Sequence, residues 1–334
     1  MRQLSPTGSA QTRWRGFNLT HMMSLRSGGN FTRDDLSLIR DWGFNFVRVP
    51  LNYRKWIVGD DIFSANEGWL AIIDKVVEAA HAANLHLSLS FHRAPGFTVS
   101  REGPEPLNLW RDVQAQQAFL FHWTTLARRY SGIGGEDLSF NLINEPPAVS
   151  PQMSRLDHEN IIRIGAHRIK EIDADRTIVI DGIGWGREPL FEMLDLKAVQ
   201  SCRAYEPMSL THHLTQSPWS RDDLPPTWPY GVSDQHRWDR PRLELHYAPW
   251  RQLMRAGVTV HCGEIGCSNS TSHAVALAWF RDVLEVLGDA NIGWALWNLR
   301  GPFGVLDSGR NDVSYEATSV GLLDRRLLDL LRSH

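Results

Sequence analysis

The chain has no surplus of charge of either sign. Its 35 Lys and Arg face 38 Asp and Glu, for a formal net charge of −3 over 334 residues, and neither sign gathers into a block. A protein that tracks phosphates needs a basic face, so nucleic acid is not an expected partner. No run of about 18 apolar residues occurs, which removes a membrane-spanning helix. The opening "MRQLSPTGSAQTRW" lacks the apolar core of a signal peptide. The expected location is therefore the cytoplasm, unless an export segment has been removed. Cysteine is scarce: Cys202, Cys262 and Cys267 form no C-x-x-C pair and no zinc-like spacing, so they read as buried reduced thiols.

What the chain does have is tryptophan, 14 of them, within a hydrophobic content of 42% that can build one large core. Indole faces suit the flat apolar faces of sugar rings as well as they suit a core. Short apolar runs alternate with longer amphipathic segments, the pattern of repeated βα units. The strand candidates are "RGFNL", "FNFVRVP", "LHLSLSFH", "DLSFNLINE", "TIVIDG", "CRAYEP", "VTVHCGE" and "IGWALWN". Between them lie helical stripes such as Trp69, Ile72, Ile73, Val76, Val77 and Ala80. Thr32 with Asp35 marks a helix start, and "LDRRLLDLLRS" reads as the last helix. Eight strands, each followed by a helix, predict a single-domain (β/α)8 TIM barrel over about residues 14–333, after a short N-terminal lead. The alternative is an open doubly wound sheet. Its glycine-rich turn would have to be "DGIGWG", which lacks the dinucleotide spacing, so no cofactor is expected.

In such a barrel the C-terminal strand ends share one mouth, where catalytic side chains gather. Glu145 in "FNLINEPP" ends the fourth strand, and Glu264 in "HCGEIG" ends the seventh. Two carboxylates facing one another across a mouth are the equipment of glycoside hydrolysis: one protonates the leaving oxygen, and the other attacks the anomeric carbon. The motifs "FVRVP", "HRAPG", "FNLINEP", "CGEIG" and "GWALWN", in this order at strand ends, resemble glycoside hydrolase family 5, the cellulase family. That resemblance implies a retaining β-glycosidase with Glu145 as acid/base, Glu264 as nucleophile, and Asn144 bonded to the sugar 2-hydroxyl. It also implies a tyrosine, here Tyr205, touching the nucleophile.

The remaining candidates are read from chemistry and position. Arg48, at the second strand end, could brace a carboxylate and hold it ionised. His92, at the third, could bond a sugar hydroxyl, and Trp297, at the eighth, could floor the subsite of the cleaved sugar, whereas Trp294 should pack elsewhere. One departure stands out. The family pattern on the sixth strand is His-x-Tyr, and this chain reads Arg203-Ala204-Tyr205. A fixed cation replaces a titratable ring, or His212 or His213 fills the space. Arg203 is expected to point into the site. The histidine pair in "THH" lacks a third metal ligand at suitable spacing, and no metal is expected.

The long connection from His213 to Trp250 is expected to overhang the cleft, with Trp219, Trp228 and Trp238 as candidates for stacking on further sugar units. The insertion "RAPGFTVSREGPEPLNLW" would form another wall. The expected activity is retaining hydrolysis of β-1,4-linked glucans or oligoglucosides by a monomer or weak homo-oligomer. Mannan, β-1,3-glucan and short glucosides are the rival substrates, and a non-catalytic sugar-binding barrel is the rival class.

Overall fold

The computed structural model describes residues 13–25, 33–100, 102–215, 224–231 and 237–334. Eight strands are formed by the apolar runs: β1 (Arg15–Asn18), β2 (Phe46–Asn52), β3 (His86–Ala94), β4 (Leu138–Asn141), β5 (Thr177–Asp181), β6 (Val199–Ala204), β7 (Val260–Ile265) and β8 (Gly293–Leu296). Each pairs in parallel with the next, and β8 pairs with β1, so the barrel closes. Every residue of β2 and β3 is buried, because helices cover the outside while side chains fill the inside.

Seven helices run back along the outside: α1 (Arg33–Asp41), α2 (Glu67–Ala82), α3 (Val113–Arg129), α4 (Arg155–Ile172), α5 (Arg240–Arg255), α6 (His273–Asp289) and α7 (Arg325–Arg332). In α2 the buried stripe includes Leu70, Ile73, Val76, Val77 and Ala80. Trp69, expected on that stripe, sits at its edge, with the Lys55 ammonium 5.3 Å from its ring centre. Ser154 and Asp157 close a capping box at the start of α4, and Asp324 caps α7. Thr32 lies outside the described residues, but Asp35 is buried in α1 and accepts from Arg300 at 2.7 Å. The unit after β5 departs from the expected pattern. It has only a helical turn, Ile183–Gly186, and a 3₁₀ stretch, Phe191–Leu196. Gly182, Gly184, Gly186 and Pro189 deny this segment a regular helix.

The two ends of the barrel interior differ in kind. At the N-terminal end the rings of Trp14, Phe46, His86 and His261 pack together, with Trp14 and His86 only 4.0 Å apart between centres. Burial keeps both histidines neutral there, with His86 pushed down to about 4. At the C-terminal end the interior is polar: Asn18, Arg48, Ser90, Asn141 and Asp181 are all buried. All three cysteines are buried free thiols. No helix among the described residues is long and apolar enough to cross a membrane.

Closure of the barrel depends on a close approach at β1. A Cβ on Gly16 would stand 1.7 Å from the Phe46 carbonyl oxygen of β2. The obstacle is backbone, held in place by pairing on both sides, so no rotamer change relieves it. Gly16→Ala is expected to cost more than about 3 kcal/mol, seen as a lower urea midpoint or as loss of soluble protein. An unchanged midpoint would mean that β1 and β2 lie further apart than described.

Candidate active site

The acid side of the site begins where β4 ends. The apolar Leu142 and Ile143 continue its line, and Asn144 N–H donates to the Phe91 carbonyl at 2.9 Å. The chain then turns through Glu145, whose φ of 50° is left-handed. For a residue other than glycine this costs about 1–3 kcal/mol and needs outside support. Asp181, at the end of β5, accepts the Glu145 N–H at 2.9 Å. The next two carbonyls, of Pro146 and Pro147, accept from Trp185 N–H at 2.9 Å and Gly184 N–H at 3.3 Å. The turn after β5 thus carries Glu145's loop on its back.

Glu264 lies within β7 and is 3% exposed. Its Oε1 accepts from Arg48 Nη1 at 2.7 Å, and its Oε2 accepts from the Tyr205 hydroxyl at 2.8 Å. Arg203 Nη2 stands 3.6 Å from the same Oε1. Burial alone would push this carboxyl up, but the Arg203 and Arg48 charges together with the tyrosine bond hold it below the usual glutamate range. Glu145 goes the other way. Burial, and then the negative charge of Glu264, push it up to about 7 against the pull of Arg203. One carboxyl is favoured as the anion, and the other holds its proton up to about pH 7, which is the division that acid/base and nucleophilic work requires.

Arg203 does point into the site, but not to hold sugar. Its Nε donates to Glu145 at 3.0 Å, and its Nη1 to Ser201 Oγ at 2.9 Å and the Cys202 carbonyl at 3.1 Å. Its Nη2 donates to Asn144 at 2.8 Å and to Asp181. A guanidinium has five N–H bonds, and all are taken. Arg48 is committed in the same way, to Asn18, Ser90, Asn141, Asn144 and Glu264. Both guanidiniums are therefore spent on protein groups: Arg48 braces a carboxylate, as its position suggested, and Arg203 braces Glu145, Asn144 and Asp181 rather than offering a donor to substrate. The "DGIGWG" turn gains its meaning here as well. Gly186 has φ +79°, and a Cβ on it would lie 2.6 Å from Arg203 Cγ, so glycine lets the turn rest on the arginine stem.

The groups left open are those suited to a sugar. Asn144 Oδ1 accepts from both arginines, which orients its amide, and its buried Nδ2 finds no protein partner. His92 stacks on Trp297 at 5.6 Å between ring centres, and its Nδ1 is likewise unpartnered. Burial, assisted by Arg48 and Arg203 against the pull of Glu264, lowers His92 to about 4, so it stays neutral. Trp297 is half-buried, while Trp294 packs against Phe44 in the core. His212 meets the edge of the Tyr205 ring at 5.0 Å and Phe303 at 5.2 Å, beside the site rather than in the place of the missing histidine. Among the described residues no three His, Cys, Asp or Glu gather as a metal ligand set.

The long connection does not bring Trp228 into this group. Its indole N–H donates to Asp282 at 2.8 Å, more than two turns along α6 from the mouth end, so it fastens the loop to the outside of the barrel. Trp238 pairs its backbone with Tyr230 and lies against His246 and Arg242 of α5. Trp219 lies outside the described residues. The insertion after β3 is pinned by Glu105, whose carboxylate accepts from Arg93 at 2.6 Å and Tyr53 at 2.8 Å and pairs with Arg54 at 2.9 Å. Sequence reasoning missed Asp181 and the neutral brace of Asn18, Ser90 and Asn141. The available signal was an acid closing the apolar run "TIVID", the same signal that exposed Glu145.

Comparison with known proteins agrees with this geometry. The model of the Cellulase (glycosyl hydrolase family 5) family matches residues 6–301. Cellodextrinase A of Ruminococcus flavefaciens is 28% identical over 79% of this chain and 77% of its own length. Endoglucanase C of Acetivibrio thermocellus is 26% identical over 88% of this chain and 91% of its own. Among solved structures, one described as a glycoside hydrolase superposes with a TM-score of 0.91 at 39% identity, covering 96% of this chain and 99% of that one. With the family model spanning most of the barrel, the chain belongs to glycosyl hydrolase family 5.

Proposed function

We propose that the chain hydrolyses β-1,4-linked glucans or their oligosaccharides with retention of anomeric configuration. The observation that carries this reading is a pair of carboxyls, the half-buried Glu145 and the buried Glu264, driven in opposite directions beside one guanidinium. The relatives named cellodextrinase and endoglucanase support the substrate class.

In the first half-reaction a Glu264 oxygen attacks the anomeric carbon while Glu145 gives its proton to the departing glycosidic oxygen. Arg48 and Tyr205 hold the nucleophile by one oxygen each, which fixes the direction of attack. Asn144 Nδ2 is the donor suited to the 2-hydroxyl, and a bond there strengthens as positive charge grows on the ring. In the second half-reaction Glu145, now a carboxylate, takes a proton from water, whose oxygen displaces Glu264. Trp297, backed by His92, offers the sugar ring an apolar face.

Three outcomes are expected. First, Glu264→Ala should abolish turnover, with azide restoring cleavage of an activated aryl β-glycoside as the α-glycosyl azide. Glu145→Ala with azide should instead give the β-azide, and the reverse pattern would exchange the two roles. Second, proton NMR early in hydrolysis of a cello-oligosaccharide should show the β-anomer first; the α-anomer first would rule out double displacement. Third, kcat/KM should fall on the alkaline side near pH 7, where Glu145 loses its proton, and on the acid side below the usual glutamate value, where Glu264 gains one. A basic limb several units higher would assign the acid to another group. Reducing-end release from a panel of β-glucans and mannans tests the substrate class, and preference for mannan or β-1,3-glucan would overturn it.

A further inference from the structure

We infer that Asp181, acting with Arg203, is a positioning residue for the catalytic pair, supplying the second negative charge that balances two buried arginines so that Glu145 keeps its proton. The inference rests on the double-displacement reading above and deepens it.

Charge balance is the first observation. Facing the catalytic carboxyls are Arg48 from β2 and Arg203 from β6, both guanidinium and both always charged. Glu264 offsets one, and among the described residues only Asp181, 1% exposed at the end of β5 and bonded to Arg203 Nη2, is placed to offset the other. Among the described residues burial holds His92 of β3, His261 of β7 and His212 beside Tyr205 neutral and pushes up the Tyr205 phenol, the Tyr247 phenol of α5 and the Cys262 thiol of β7, while Glu206 is paired with Arg187 at 2.6 Å. From β1 and from the residue after β8 come the neutral Asn18 and Trp297. With Glu145 protonated, two positive charges meet two negative ones. Attack by Glu264 turns its carboxylate into an ester while Glu145 becomes a carboxylate, so the sum stays zero through the covalent intermediate. With Arg48, Arg203, Asp181 and Glu264 all buried, an unbalanced charge among them would be costly at either stage.

Position is the second observation. The Asp181 oxygen that holds Arg203 also accepts the Glu145 N–H, and its other oxygen accepts from Asn141 at 2.9 Å. Asn141 in turn holds Arg48. One carboxylate therefore fixes the left-handed backbone of the acid and links the two arginine braces. The turn after β5 locks the assembly, since Gly186 lies on the Arg203 stem while Gly184 and Trp185 hold the carbonyls that follow Glu145.

The test is a charge cycle read in the pH profile of kcat/KM on an aryl β-cellobioside. Asp181→Asn keeps an acceptor for the Glu145 N–H but leaves one positive charge unbalanced, which favours both carboxylates. Both limbs should move down by about one pH unit. Arg203→Gln leaves one negative charge unbalanced, and both limbs should move up by a similar amount. The double variant Asp181→Asn/Arg203→Gln restores neutrality, so its limbs should return close to those of the wild type. It also removes both members of the buried pair, which avoids stranding a charge if the single variant does not fold. Asp181→Glu should lower kcat while leaving the limbs in place. Limbs unmoved in folded Asp181→Asn, or displaced by a full unit in the double variant, would overturn the inference. A wild type without two limbs, or one whose Glu264→Ala variant still turns over without azide, would fault the double-displacement reading instead.

Discussion

The constraint on which the site depends is the burial of ionised groups in one layer of the barrel. Two arginines and three carboxyls sit at the C-terminal end of a barrel whose opposite end is closed by aromatic rings. In that layer no group can be charged on its own account, because desolvation is offset only by a partner in direct contact. Protonation of one carboxyl, ionisation of another and saturation of both guanidiniums are consequences of one electrostatic sum. The same requirement explains why Asn18, Ser90 and Asn141, which react with nothing, stand where they do: each absorbs an N–H that would otherwise be stranded.

Much of this was legible in the sequence, and the legible part has a common cause. Strand runs bounded by turns gave the eight strand positions, and acids closing apolar runs gave Glu145 and Glu264, while Asn144 came from the family resemblance and Arg48, which lies inside β2, from a lone cation within an apolar run. Both signals are local, since the period of a strand and the break at its end can be read within a few residues. What escaped is relational. Asp181 ends its strand as plainly as Glu145 does, yet its meaning appears only once Arg203 is seen reaching it from the neighbouring strand. The replacement of histidine by arginine was visible, but not that every donor of the new side chain would be spent on protein. Trp228 fails for the related reason that a loop tryptophan carries no local mark of which surface it will meet, and here Asp282 claimed it.

The loops divide by what fastens them. The wall after β3 is anchored by a buried carboxylate to two arginines and a tyrosine, so its base belongs to the core. The described part of the long connection after β6 is fastened instead to the outer helices. The first arrangement ties its loop to the ends of β2 and β3, and the second covers apolar flank.

The glycine turn resting on the stem of Arg203 sets a limit on how this barrel could be recombined. (β/α)8 enzymes are diversified by exchanging loops at the mouth, on the premise that each loop is a separable module. Here the loop after β4 hangs by two carbonyls from the turn after β5, and that turn fits against a side chain of β6 with no room for a Cβ. The three segments form one inheritable block. A graft that takes the acid loop from a relative without the β5 turn and the β6 arginine would import a backbone whose supports stayed behind.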